Sequence, residues 1–261
     1  MKWLGRRLKN DRGVVALSVL SPMIVYFGMW RKVTSYWPTN LEGFERLLPC
    51  NLTQQALPKI TEGSQLLFSR VSDAQAKALG ETLIWGLLAV FFLAGTFVVY
   101  TLGRAVSSED FINIAVLRGS KGGALLEYLK VFVLYSLYIS VTLAPLLAFM
   151  FKAYAVDIHA RGLVSLLVVI FGVALWGVAV ALLTISLLRD SPSAIISLFG
   201  IILGVMAGGK IAEVLLPYHS LFIWILSDFK IALSPYSSAG ILLNPLFIAG
   251  AYFIFERRDF G

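Results

Sequence analysis

The sequence predicts an all-α, polytopic membrane protein of six transmembrane helices, folded as a single domain over 1–261. Two observations carry this. The first is composition: of 261 residues, 58% are hydrophobic and 14% charged, with a mean hydropathy of +0.82. Soluble domains carry about 25% charged residues, and so few charges could not cover the surface of a soluble globule of this size. The second is the recurrence of apolar, nearly charge-free runs that reach the ~20 residues needed to cross a bilayer as a helix. Together they exclude an ordinary soluble enzyme and a disordered chain. The single cysteine, Cys50, excludes an internal disulfide and a structural zinc cluster.

Taken in order, the expected spans are 13–30, 79–103, 125–151, 162–188, 191–216 and 237–255. Span one carries Pro22 and is bounded by Arg12 and Arg31. It lacks the small-x-small cleavage site of a signal peptide and ends in Trp30-Arg31-Lys32. Span four is the longest clean run. Span five continues past Lys210 and Glu213, and Pro235 moves the expected start of span six to about Ser237.

An even number of spans puts both termini on one side. That side carries Lys2, Arg6, Arg7, Lys9, Arg12, Arg104, Arg118, Lys121, Arg189, Arg257 and Arg258. The other side holds nearly as many cations, but on connecting segments almost twice as long. Charge density therefore predicts cytoplasmic termini in a multi-pass protein of the cell membrane. The basic balance has the same origin: no basic stripe is interleaved with exposed aromatics, so nucleic acid is not an expected partner.

The outer side is expected to carry one long loop, 31–78, with Tyr36-Trp37-Pro38 as an interfacial anchor and Ser72 to Leu79 as a helical lead-in to span two. Asn51-Leu52-Thr53 matches a glycosylation sequon. Between spans five and six, His219 to Leu226 is apolar and aromatic but too short to span, which fits a re-entrant or interfacial segment.

Candidate chemistry is sparse. The two histidines, His159 and His219, are far apart, and no His-Glu-x-x-His, cysteine pair or paired-Asp motif is present. Catalytic, cofactor-binding and metal residues are therefore expected to be none. Gly204 to Lys210 fits the G-x4-G-K opening of a phosphate-binding loop, but Ile211 stands where a Ser or Thr should follow, and the stretch lies in an apolar run. Its glycines fit packing better. Gly200, Gly204 and Gly208 repeat every four residues on one helix face, where small residues let another backbone approach in lipid, within the bundle or at a subunit interface. Glu127 with Lys130, and Lys210 with Glu213, stand three apart near span ends and can pair.

The most informative stretch lies between spans two and three. Ser107 followed by Asp110 resembles a capping box, and Glu109 and Asp110 sit at the favourable positive end of a helix. Phe111, Ile114, Ala115 and Arg118 share a face by 3–4 spacing, with Leu117 beside them, and Gly119 ends the helix. This predicts a short amphipathic helix over 107–118, resting on headgroups or docking a partner.

On these residues the chain resembles the permease subunits of type-2 ATP-binding-cassette (ABC) exporters. Their layout is a cytoplasmic N-terminal stub, six spans, a large first outer loop and a coupling helix between spans two and three. The matching stretches are Val116-Leu117-Arg118-Gly119-Ser120-Lys121, followed by Leu125-Leu126 and Lys130, and the tail Phe255-Glu256-Arg257-Arg258-Asp259-Phe260. Gly119 stands where proline is common in the family, and Lys121 where arginine is.

The resemblance implies a permease subunit that forms the substrate pathway and has no catalytic site of its own. A separate cytoplasmic ATPase subunit would bind ATP and Mg, with none bound by this chain. Ser107, Glu109, Asp110, Phe111, Ile114, Leu117 and Arg118 would form the helix on which that ATPase acts. A second permease copy, identical or not, would pair with this one, with Gly200, Gly204 and Gly208 as packing or dimer face, and lipid would surround both. The rival readings are a secondary carrier or channel, a membrane scaffold without an ATPase partner, and a membrane-embedded enzyme.

Overall fold

The computed structural model describes residues 8, 10–36, 73–108, 110–153, 160–188, 191–206 and 235–257. Among these, seven helices follow one another: α1 (Arg12–Tyr36), α2 (Asp73–Ser107), α3 (Asp110–Arg118), α4 (Lys121–Ala153), α5 (Ala160–Leu188), α6 (Ser191–Met206) and α7 (Pro235–Arg257). Five of them, α1, α2, α4, α5 and α7, are long and apolar enough to cross a membrane. The chain is a multi-pass membrane protein by the length and composition of these helices.

The expected spans one to four lie within α1, α2, α4 and α5, and span six within α7. α2 starts at Asp73, as the helical lead-in required. α7 starts at Pro235 rather than Ser237. Proline is well suited to a first helical position, where its missing N–H has no partner to lose. The expected fifth span is described only as α6, whose apolar part, Ser191–Gly204, is shorter than a membrane crossing. Its continuation to 216, with Gly208, Lys210 and Glu213, lies outside the described residues, as do most of the outer loop and the segment at 217–234.

α2 and α5 form the centre. Between 169 and 182, α5 is buried at every position except the partly exposed Phe171 and Leu175. α1 packs on α2, α4 on α5, and α7 on α5 and α4, while α6 sits against α2 and α5. The central pair is close because of two glycines. A Cβ on Gly177 would overlap the backbone carbonyl of Phe91, and Gly95 faces the Gly177 carbonyl. In lipid, association depends on such close van der Waals packing rather than on the hydrophobic effect. Aromatic pairs pin the outer helices to this centre. Phe97 of α2 stacks on Tyr135 of α4 at 3.8 Å, Phe92 meets Phe199 of α6 at 4.4 Å, and Trp176 of α5 stacks on Phe247 of α7 at 5.3 Å.

Several polar groups inside the bundle are turned back on the chain. The hydroxyls of Ser136, Ser140, Thr184 and Ser186 donate to carbonyls three or four residues earlier. Tyr135 donates to Ser21 at 2.7 Å, and Ser21 donates in turn to the Leu17 carbonyl. This is the internal satisfaction that a solvent without hydrogen bonds demands. Outward-facing residues such as Ile24, Phe27, Leu134, Leu242 and Phe253 are apolar and exposed, as a lipid-facing surface requires.

Candidate functional site: the short helix and its anchors

The start of α1, the end of α2, all of α3, the start of α4 and the end of α7 meet at one end of the bundle. Asp11 begins this cluster. Its carboxylate accepts the backbone N–H groups of Gly13 at 2.9 Å and Val14 at 3.3 Å, so it caps α1. The same carboxylate takes Arg104 of α2 at 2.8 Å, and Arg104 also donates to the Tyr100 hydroxyl at 3.0 Å. One aspartate thus ties the first turn of α1 to the last turn of α2.

The chain then breaks for α3, and the expected capping role of Ser107 is corrected here. Ser107 closes α2, and its hydroxyl donates to the Gly103 carbonyl at 2.9 Å. α2 therefore runs further than the apolar pattern implied and absorbs Ser107. The next serine makes the local contact instead: the Ser108 hydroxyl donates to Asp110 Oδ2 at 2.7 Å. Glu109 lies outside the described residues. Asp110 is buried in the first turn of α3, where the helix dipole favours a negative charge.

α3 has two sharply different faces. Phe111 and Ile114 are buried. The Phe111 ring lies 5.3 Å from Phe255 of α7 and 6.1 Å from Tyr128 of α4. Burying such side chains is worth about 1.5–3 kcal/mol each, so this face anchors the helix. On the opposite face Val116 and Leu117 are 76% and 79% exposed, with Ile112 and Asn113 also exposed. Three large aliphatic side chains therefore stand exposed on this face, Val116 and Leu117 the most.

Gly119 ends α3 with φ +73°, the left-handed conformation that glycine takes without steric cost. The turn leads directly into α4. The Ser120 hydroxyl accepts the Gly123 N–H at 2.9 Å, and Glu256 of α7 accepts the Gly122 N–H. Two acceptors thus satisfy N–H groups that a helix start otherwise leaves without partners.

Glu127, buried on α4, completes the site. Arg118 at the end of α3 and Lys130 one turn along α4 both reach its Oε1, the latter at 2.9 Å. The expected Glu127–Lys130 pair is present, and Arg118 joins it. The cations are half exposed, which limits the value of each pair to about 1 kcal/mol. Their geometric effect is to hold the far end of α3 on α4. Sequence reading missed Arg118 on Glu127, Glu256 on Gly122 and the whole Asp11–Arg104 contact. Only Asp11 left a signal, as an aspartate just ahead of an apolar run.

The glycine face reads differently from the close pair at Gly95 and Gly177. Gly200 is exposed with nothing within 4 Å of a Cβ built there, Gly204 is partly buried, and Gly208 is outside the described residues. Gly200 stands beside exposed Ile196, Phe199 and Leu203. Among the described residues no three His, Cys, Asp or Glu side chains gather as metal ligands would.

No family model, curated protein or solved structure matches this chain. The functional reading therefore rests on the geometry of this end of the bundle. That geometry is a short helix clamped on its inner side to two spanning helices and bare on its outer side. Such an element can receive a partner and pass its displacement to the helices that hold it.

Proposed function

We propose that this chain is the membrane permease subunit of an ATP-driven exporter, similar to those of the type-2 ABC kind. It would have six spans, with α6 and its continuation as the fifth, and cytoplasmic termini. The observation that carries the reading is the two-faced α3: Phe111 and Ile114 anchored against α4 and α7, and Val116 and Leu117 uncovered at the charged end. A separate ATPase subunit, holding ATP and Mg, would seat a groove over Leu117 and Val116. Its closure on nucleotide would push α3. Arg118 on Glu127 and the Phe111 cluster would carry that displacement into α4 and α7. A second copy of the permease would complete the pathway, and the open Gly200 face of α6 is the surface this reading assigns to it.

The test is purification of the tagged chain from its native host in mild detergent, followed by ATPase assay and mass spectrometry. The expected result is a co-purifying soluble ATPase that is lost in the Val116→Glu, Leu117→Glu double variant while the chain stays monodisperse. Both positions are exposed, so the substitutions leave the packing of the bundle alone. An unchanged ATPase yield in the double variant, or no ATPase with the wild-type chain, favours a carrier, channel or scaffold.

A further inference from the structure

α1 has a weak turn near its middle. The helix runs through Pro22 without a break, but proline has no N–H to give the Ser18 carbonyl, and its ring crowds that turn. Two hydroxyls act on the same stretch. Ser18 donates to the Val14 carbonyl at 2.8 Å and Ser21 to the Leu17 carbonyl, contacts that favour bending of a helix. Tyr135 of α4 pins this turn from the side. Its hydroxyl donates to Ser21 at 2.7 Å while its ring stacks on Phe97 of α2.

The segments on either side of Pro22 are held differently. The outer one, 23–31, is packed on α2: Val25 and Met29 are buried, and Met29 fills the space where a Cβ on Gly86 would stand. Over 12–20 only Val14 is buried. Polar contacts hold the tip of this inner segment instead. Asp11 takes Arg104, whose side chain is 59% exposed, and Gly13 lies against the Tyr100 hydroxyl. Between the inner segment and α4 lies a shallow, open depression of about 470 Å³. Val15 and Val19 line it from α1, Leu134 and Tyr138 from α4, and all four are exposed.

We propose that the inner segment of α1 is a hinged arm with two resting places: on the end of α2, as in this structure, and across the depression against α4. Pro22 is the hinge, Tyr135 the pin beside it, and Asp11 on Arg104 the tie that holds the arm open. A proline kink of about 20°, acting over the ~10 Å of helix between Pro22 and Val15, moves Val15 by about 4 Å. Closure packs Val15 and Val19 on Leu134 and Tyr138, the kind of contact from which helices in lipid gain. Arg104 stands in the last turn of α2, so the tie also links the arm to the helix end that leads into α3. The arm does not depend on the permease reading.

The test is disulfide formation in the full chain, in nanodiscs, on a Cys50→Ser background. The inner pair is Val15→Cys with Leu134→Cys, and the outer pair is Ile24→Cys with Val141→Cys; all four positions are exposed. Adding Arg104→Ala should raise the oxidation rate of the inner pair about five-fold, the worth of one partly exposed ion pair, and leave the outer pair unchanged. With Pro22→Ala also present, which restores the missing N–H, Arg104→Ala should have no effect on the inner pair. An inner-pair rate that ignores Arg104→Ala would overturn the proposal. So would equal acceleration of both pairs, which reports general loosening, or a full Arg104→Ala effect in the Pro22→Ala chain.

Discussion

At the centre of the bundle, α2 and α5 meet through what is missing. Gly95 and Gly177 remove side chains so that the backbone of one helix reaches the other. At the charged end, α3 meets α4 and α7 through what is present: the Phe111, Tyr128 and Phe255 rings, and Arg118 on Glu127. The first contact is set by steric fit and admits no larger side chain at Gly177. The second is built from side chains with free outer neighbours, joined to the bundle through a Ser108 turn on one side and a left-handed glycine on the other. The difference teaches where this molecule can move. The central pair behaves as a fixed core, while α3 is an attached element whose displacement depends on a few named contacts.

The comparison breaks most severely at Gly177. Gly177→Leu should force α2 and α5 apart and cost about 3 kcal/mol or more, read as loss of the monodisperse peak in detergent size-exclusion chromatography. Gly28→Leu on α1, with open space around it, should leave that peak unchanged. A large effect at Gly28 with none at Gly177 would reverse the assignment of core and surface. Next comes Phe111→Ala, expected to cost about 3 kcal/mol of local packing. It should free α3 without unfolding the spans, so hydrogen exchange should rise over 110–118 and stay low over 169–182.

Smaller effects sharpen the picture. Glu127→Gln removes the charge that holds Arg118 and Lys130 and should cost about 1 kcal/mol, seen as faster exchange at the end of α3 and a slight fall in melting temperature. Asp11→Ala should cost about 1 kcal/mol as a lost helix cap. Its effect should stay at the start of α1 and the end of α2, because Asp11 touches neither α3 nor α4 through any contact described above.

Much of the fold was legible in the sequence because the signals are local. Apolar runs bounded by charged residues marked α1, α2, α4, α5 and α7. The short helix was legible from the 3–4 spacing of Phe111 and Ile114 and from Gly119, whose φ of +73° is the stop the pattern required. What stayed hidden was set by tertiary packing. Ser107 satisfies the local rule for a cap, but α2 gains enough from its packing to run through it, so Ser107 bonds backwards to Gly103. Arg118 and Glu127 sit on different helices across a glycine turn, where helical spacing rules do not apply. The regular glycines from Gly200 onward drew attention by their repeat. The close approach instead falls to Gly95 and Gly177, which follow no four-residue repeat and are paired only by the fold.

The central claim is that the bare face of α3 receives a partner while its other face holds the bundle. Cys50 is the only native cysteine, so a Cys50→Ser background lets a photoactivatable crosslinker be placed at one chosen position. With the label at Leu117→Cys, irradiation of native membranes should yield an adduct between this chain and a soluble nucleotide-binding subunit. The label at Val19→Cys, on the lipid-facing side of α1, should give none. An adduct of equal strength from both positions, or only lipid adducts from Leu117→Cys, would contradict the account.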